Sequence, residues 1–168
     1  MTAKLKRGIT KVKDPGSALT HFIAMILAII AAIPLLSKAG HDSGHMRISA
    51  LAIFILSMIG LYAASTIYHT LDISPKINKL LRKIDHMMIF ILIAGTYTPV
   101  CMIVLGDKTG WTMLTLVWGI AIVGILINAL WITCPKWFSS LIYIAMGWVC
   151  ILAITKILSS MPRAGFMW

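Results

Sequence analysis

The 168 residues are 60% hydrophobic and 12% charged, against roughly 45–50% and 25% in an average soluble domain. With a mean hydropathy of +0.93, the chain carries more apolar surface than one core of this size buries, which excludes a water-soluble fold and makes lipid the solvent. Fifteen Lys and Arg face five acids, all Asp, for a net charge of +10. Because that charge falls between long apolar runs, it reads as a membrane-surface signal rather than a nucleic-acid footprint.

In chain order, residues 1–17 form a basic segment with Lys4, Lys6, Arg7, Lys11 and Lys13. Residues 18–168 form a single all-α, polytopic transmembrane bundle. About 20 apolar residues cross a bilayer as a helix. Five stretches meet that length, Ala18–Leu36, Ile48–Ile67, Met87–Leu105, Trp111–Ile132 and one that begins at Phe138, is apolar to Thr155 and closes as a span at residue 158. The basic leader and Ser37-Lys38-Ala39 also suit a cleaved signal peptide. The apolar run is longer than a signal core and further spans follow it, so it reads as a retained span. Cys101, Cys134 and Cys150 form neither a disulfide framework nor a metal clip and read as small helix residues. The eleven Met serve as adaptable packing.

Orientation follows from the rule that basic residues in short loops stay in the cytoplasm. With the N-terminus inside, ten basic residues are inside and five outside. The inner loop between the second and third spans begins with Ser74-Pro75, an N-cap followed by proline at the first helical position. Ile77, Leu80, Leu81 and Ile84 then recur at helical spacing among Lys76, Lys79, Arg82 and Lys83. This pattern predicts a short helix lying on the anionic inner leaflet and feeding the third span, with a plain basic loop as the alternative.

Polar groups within a span are costly and usually face a bundle interior. Here they are His21, Ser65, His69, Asp85, His86, Thr96, Tyr97 and Asn128. The topology sets His21, His69, Asp85 and His86 at one depth near the inner face, on three helices. Ser65 and His69 share a face of the second helix. Asp85 and His86, about 100° apart around theirs, cannot both point at one site. Imidazoles with a nearby carboxylate suit zinc. Interfacial histidines and an Asp at a helix N-terminus also occur without any metal. In the third helix, Gly95 permits close helix approach, and Thr96 or Thr98 can satisfy carbonyls freed by Pro99.

Asp14-Pro15-Gly16-Ser17-Ala18-Leu19-Thr20-His21, Ser65-Thr66-Ile67-Tyr68-His69 and the run from Ile84-Asp85-His86 through Gly95-Thr96-Tyr97-Thr98-Pro99 together resemble the bacterial hemolysin III family. That family stands with the progestin and adiponectin receptors and the alkaline ceramidases. The resemblance implies a seven-span bundle, N-terminus inside, around a zinc near the cytoplasmic side. His69 would be one zinc ligand, Asp85 would sit beside the zinc-bound water, and Ser65 would be the motif serine. The family's other two ligands are histidines of a seventh helix with no counterpart in this sequence. Five spans of seven are expected, as in a C-terminally truncated member with an incomplete site, in which His21 and His86 are substitute ligands.

Three functions follow as expectations. The first is a zinc-dependent hydrolase of lipid amides or esters at the inner leaflet of the bacterial plasma membrane. The second is a pore-forming, cytolytic protein, which needs a water-lined face that the spans do not show. The third is a non-catalytic receptor or membrane-homeostasis role. Membrane lipids are the expected partners, with Lys76, Lys79, Arg82 and Lys83 on the anionic leaflet.

Overall fold

The computed structural model describes residues 12–42, 44–131 and 135–161. Lys4, Lys6, Arg7, Lys11, Ile132 and Cys134, named above, lie outside the described residues. The helices are α1 (Pro15–Asp42), α2 (His45–Thr70), α3 (Pro75–Pro99), α4 (Lys108–Leu130), α5 (Lys136–Trp148) and α6 (Ile154–Ser160). A π-helical segment, Val100–Leu105, prolongs α3, and a 3-10 turn, Val149–Ala153, joins α5 to α6. Among the described residues five helical segments are long and apolar enough to cross a membrane, Pro15–Gly40, His45–Thr70, Pro75–Leu105, Lys108–Leu130 and Trp137–Ser160. Leu27, Ile30 and Ile33 on α1 and Leu126 and Leu130 on α4 are exposed, as expected of surface solvated by acyl chains.

Successive helices alternate in direction, and α3 is the central one, touching α2, α4 and α5. The ends of α1, α2, α3, α4 and α5 that carry or adjoin the basic loops therefore meet at one side, here called the basic end. Ser74 caps α3 as its sequence predicts, its side chain accepting a hydrogen bond from the Ile77 amide at 3.3 Å. Asn78 locks the turn before it: its Oδ1 accepts from the Ile73 amide at 3.2 Å and its Nδ2 donates to Asp72 Oδ1 at 2.7 Å.

The separate surface helix expected before the third span does not form. Nothing between Lys76 and Thr98 breaks a helix, so α3 runs unbroken from its cap to Pro99. The 31 residues from Pro75 to Leu105 measure about 46 Å, against a hydrocarbon core of about 30 Å. A segment of that length is accommodated by tilt or by extension beyond the hydrocarbon at its ends. Lys83 does not point to lipid, because its Nζ donates to the Ala129 carbonyl at 3.1 Å. It thereby satisfies an orphan acceptor at the C-terminal end of α4, where the helix dipole favours a cation.

The core lies between α3, α4 and α5, where Phe90, Ala94, Val117, Ala121 and Met146 are fully buried. Gly124 is where the Phe90 ring rests on α4, with no room for a side chain. Gly95 does the same toward α2, where an added Cβ would collide with Ser57. The threonines near Pro99 act one and two residues from their expected place. Thr96 and Thr98 donate to the carbonyls of Ile93 (2.7 Å) and Ala94 (2.9 Å), not to that of Gly95. The backbone passes into a π-helical turn directly after Pro99.

Candidate functional site

Two helices bring together the side chains that make the basic end unusual. On α2, Tyr62, Ser65 and His69 follow at three- and four-residue spacing and share one face. His21, in the second turn of α1, meets that face: its ring lies 5.7 Å from the His69 ring at an interplanar angle of 7° and 5.9 Å from Tyr62. Ser65 is buried one turn before His69. Tyr68 presses edge-on against His69 at 4.8 Å.

Asp14, immediately ahead of α1, completes the cluster. His69 Nδ1 lies 3.0 Å from Asp14 Oδ2. A carboxylate only accepts, so Nδ1 carries the hydrogen and Nε2 is the ring atom left available. The backbone repeats this pairing, since the Asp14 amide donates to the His69 carbonyl at 2.9 Å and the Lys13 amide to that of Thr70 at 3.4 Å. Lys13 itself sits over the Tyr68 ring, 3.6 Å from its centroid. The Nδ1 of His21 is different, being buried with no hydrogen-bond partner. Such a group costs about 1–3 kcal/mol unless something satisfies it.

The remaining site candidates separate by face. Met88 of α3 reaches Gly60 of α2, so Asp85, one turn earlier, lies on the α2-facing side of α3. His86 shares its face with Phe90, which packs on Tyr143 of α5 at 4.5 Å. The backbone carbonyl of His86 also accepts from the Tyr143 hydroxyl at 2.8 Å. The structure therefore places Asp85 on the seam with α2 and His86 on the side toward α5, away from His21 and His69. Among the described residues no hydrogen bond or ion pair ties Asp85 to either histidine.

Zinc takes three or four protein ligands. Among the described residues no group of three His, Cys, Asp or Glu side chains is arranged to hold a metal. His69 has the features of a metal-binding histidine, with one nitrogen fixed by a carboxylate and the other available. His21 adds an unsatisfied nitrogen beside it. Two imidazoles do not make a zinc site, so the described residues do not fit a complete one.

Sequence reasoning overlooked Asp14 as a partner. Its position just before α1, at the end where α2 finishes with His69, was the available signal. Tyr97, Thr98 and Asn128 serve the bundle rather than this site. The Tyr97 hydroxyl lies 2.9 and 2.8 Å from the carbonyls of Met146 and Gly147 and accepts from the Cys150 amide at 3.0 Å. Thr98 accepts from the Trp118 indole at 3.2 Å, and Asn128 Nδ2 donates to Ser139 Oγ at 3.0 Å. At the opposite end Asp107 caps α4 by accepting from the Gly110 amide and pairs with Lys156, which also donates to Thr109. The hydrogen bond from Lys156, followed by that from the Gly110 amide, holds the Asp107 carboxyl below its ordinary pKa.

Comparison with known sequences agrees with a multi-pass membrane architecture. Residues 9–168 match the profile of the family described as Haemolysin-III related. The chain is 38% identical to Hemolysin-3 of Bacillus cereus over 167 residues, covering 99% of this chain and 76% of that protein. It is 35% identical to the Hemolysin-3 homolog of Bacillus subtilis (strain 168) over 154 residues, covering 92% of this chain and 72% of the relative. No solved structure matches.

Proposed function

This chain belongs to the hemolysin III family of multi-pass bacterial membrane proteins, and from that premise we propose that its basic end contributes to a zinc-dependent hydrolase of lipid amides or esters at the inner leaflet. The observation that carries the reading is the buried, unpartnered Nδ1 of His21 against the His69 ring. An apolar bundle does not retain an orphan imidazole for stability, whereas a site awaiting a ligand does. In this reading His69 is one metal ligand, and Ser65 and Asp85 border the reacting atoms. His21 and His86 are the substitute ligands in this sequence. Zinc would supply a Lewis acid and an activated water. What the chain's own residues do is hold the His69 ring and exclude water behind it with Tyr62 and Tyr68. Lys76, Lys79 and Arg82, on the first turns of α3, draw anionic lipid to the same side.

The test uses the full chain purified in zinc-supplemented nanodiscs, with elemental analysis and hydrolysis of fluorescent N-acyl and ester lipids. Stoichiometric zinc that disappears in His69→Ala, with hydrolysis that fails in Asp85→Asn, is the expected result. A protein with neither zinc nor hydrolysis overturns the reading. Dye leakage from liposomes without lipid cleavage would favour the cytolytic function that the name of the Bacillus cereus relative describes.

A further inference from the structure

We infer that Asp14 is the positioning residue of His69, fixing which ring nitrogen carries the hydrogen and how the imidazole faces the bundle. The two residues are 55 positions apart and lie on different elements, yet they are joined twice. The Asp14 amide donates to the His69 carbonyl at 2.9 Å, and the Asp14 carboxylate accepts from His69 Nδ1 at 3.0 Å. The backbone pair, with that between Lys13 and Thr70, already docks the segment ahead of α1 onto the end of α2. The side-chain bond adds nothing to that register that a second backbone contact does not supply. It does decide the ring. With Nδ1 donating to a group that only accepts, a neutral His69 keeps its lone pair on Nε2.

The surroundings serve the same end. The parallel His21 ring and the Tyr68 edge limit rotation of the imidazole. Lys13, the nearest cation in sequence, is turned onto the Tyr68 ring and leaves the carboxylate to His69. The Asp14 side chain is half exposed whereas that of His69 is 21% exposed, so the carboxylate lies at the outside of the bundle while the ring is turned inward. A carboxylate backing a histidine in this manner sets the tautomer and the orientation of the ring. The arrangement acts on whatever takes that nitrogen, and it does not depend on the proposed hydrolase.

The experiment is nitrogen NMR of the full chain, labelled at histidine and held in nanodiscs above the ordinary imidazole pKa of about 6.5. His69→Gln assigns the resonances by their loss. The wild type is expected to show His69 with a protonated Nδ1 and an unprotonated Nε2. Asp14→Asn, whose amide oxygen still accepts, keeps that pattern. Asp14→Leu exchanges the two resonance types, returning the ring to the Nε2–H form that free imidazole favours in water. A wild-type His69 already in the Nε2–H form overturns the assignment. So does an Asp14→Leu protein that folds and leaves the resonances in place. If Asp14→Leu does not fold, the wild-type pattern and that of Asp14→Asn still decide it. Neither zinc nor substrate enters the measurement, so its failure and a failure to find hydrolysis are separate results.

Discussion

The histidines of α1 and α2 and the buried polar side chains of α3, α4 and α5 all lie within an apolar bundle but are treated differently. In the three-helix core, Tyr97, Thr98, Asn128 and Ser139 all have partners, and most of those partners lie on another element. Between α1 and α2, His21 keeps a buried nitrogen with none, and His69 has one nitrogen engaged and one available. A satisfied polar group in a membrane bundle holds helices together. An unsatisfied one is tolerated where a ligand belongs. The contrast, rather than the mere presence of polar residues in the spans, sets these two histidines apart from the satisfied polar groups of the core.

The seam between the two regions gives the largest expected effect. At Gly95 the backbone of α3 lies against Ser57, and Gly95→Leu has to push α2 off α3, at a cost of about 3 kcal/mol, the upper end for overpacking. Its signature in detergent unfolding is loss of the α1–α2 pair before the core. A single cooperative transition at the wild-type midpoint would show that the seam is loose. Within the core, Tyr97→Phe removes a hydroxyl that links α3 to Met146, Gly147 and Cys150. A loss of about 1–3 kcal/mol is expected, read as a lower unfolding midpoint.

The same kind of change in the other region carries the opposite sign. His21→Phe keeps an aromatic ring against Tyr62 and His69 but removes the orphan nitrogen. It should raise the midpoint by up to about 1 kcal/mol. A drop of similar size would mean that the imidazole is satisfied in the folded protein, and the contrast between the regions would fail.

The smallest effect is at the end opposite the site. The Asp107 carboxyl has its pKa lowered by Lys156 and by the Gly110 amide, so its folded value lies below its unfolded one. Its contribution is therefore complete above the unfolded value near 3.8 and is lost as the pH falls through the lowered folded value. Asp107→Asn should lower the midpoint slightly at neutral pH, and the gap to wild type should close in acid. Because the pair is exposed, salt should narrow the gap as well. A gap that persists in acid would mean that the carboxylate charge is not its source.

Much of this was legible in the sequence for a local reason. Five runs of apolar residues without acid or base specify five spanning helices wherever they are placed, because the backbone must bond within itself in lipid. Ser74 and Pro75 announce a helix start by their own chemistry, and Gly95 announces a close approach. The hemolysin III resemblance rested on short runs of adjacent residues, so it too was visible in one dimension. His21, His69 and Asp85 could be set at one depth by counting along the spans.

Rotation of each helix about its own axis could not be counted, and it sorted the candidates. Asp85 and His86 are neighbours in sequence, but the packing of Met88 on Gly60 and of Phe90 on Gly124 turns the first toward α2 and the second toward α5. Lys83 looked like a lipid anchor until the end of α4 came within its reach. Asp14 met His69 only because α1 and α2 pack side by side, so that the segment ahead of α1 reaches the end of α2. The sequence by itself determined the membrane, the spans and the depth of the histidines, since these depend on hydropathy and length. Only the tertiary structure decided which of those groups face one another and which are left without a partner, because facing is a property of packed pairs of helices.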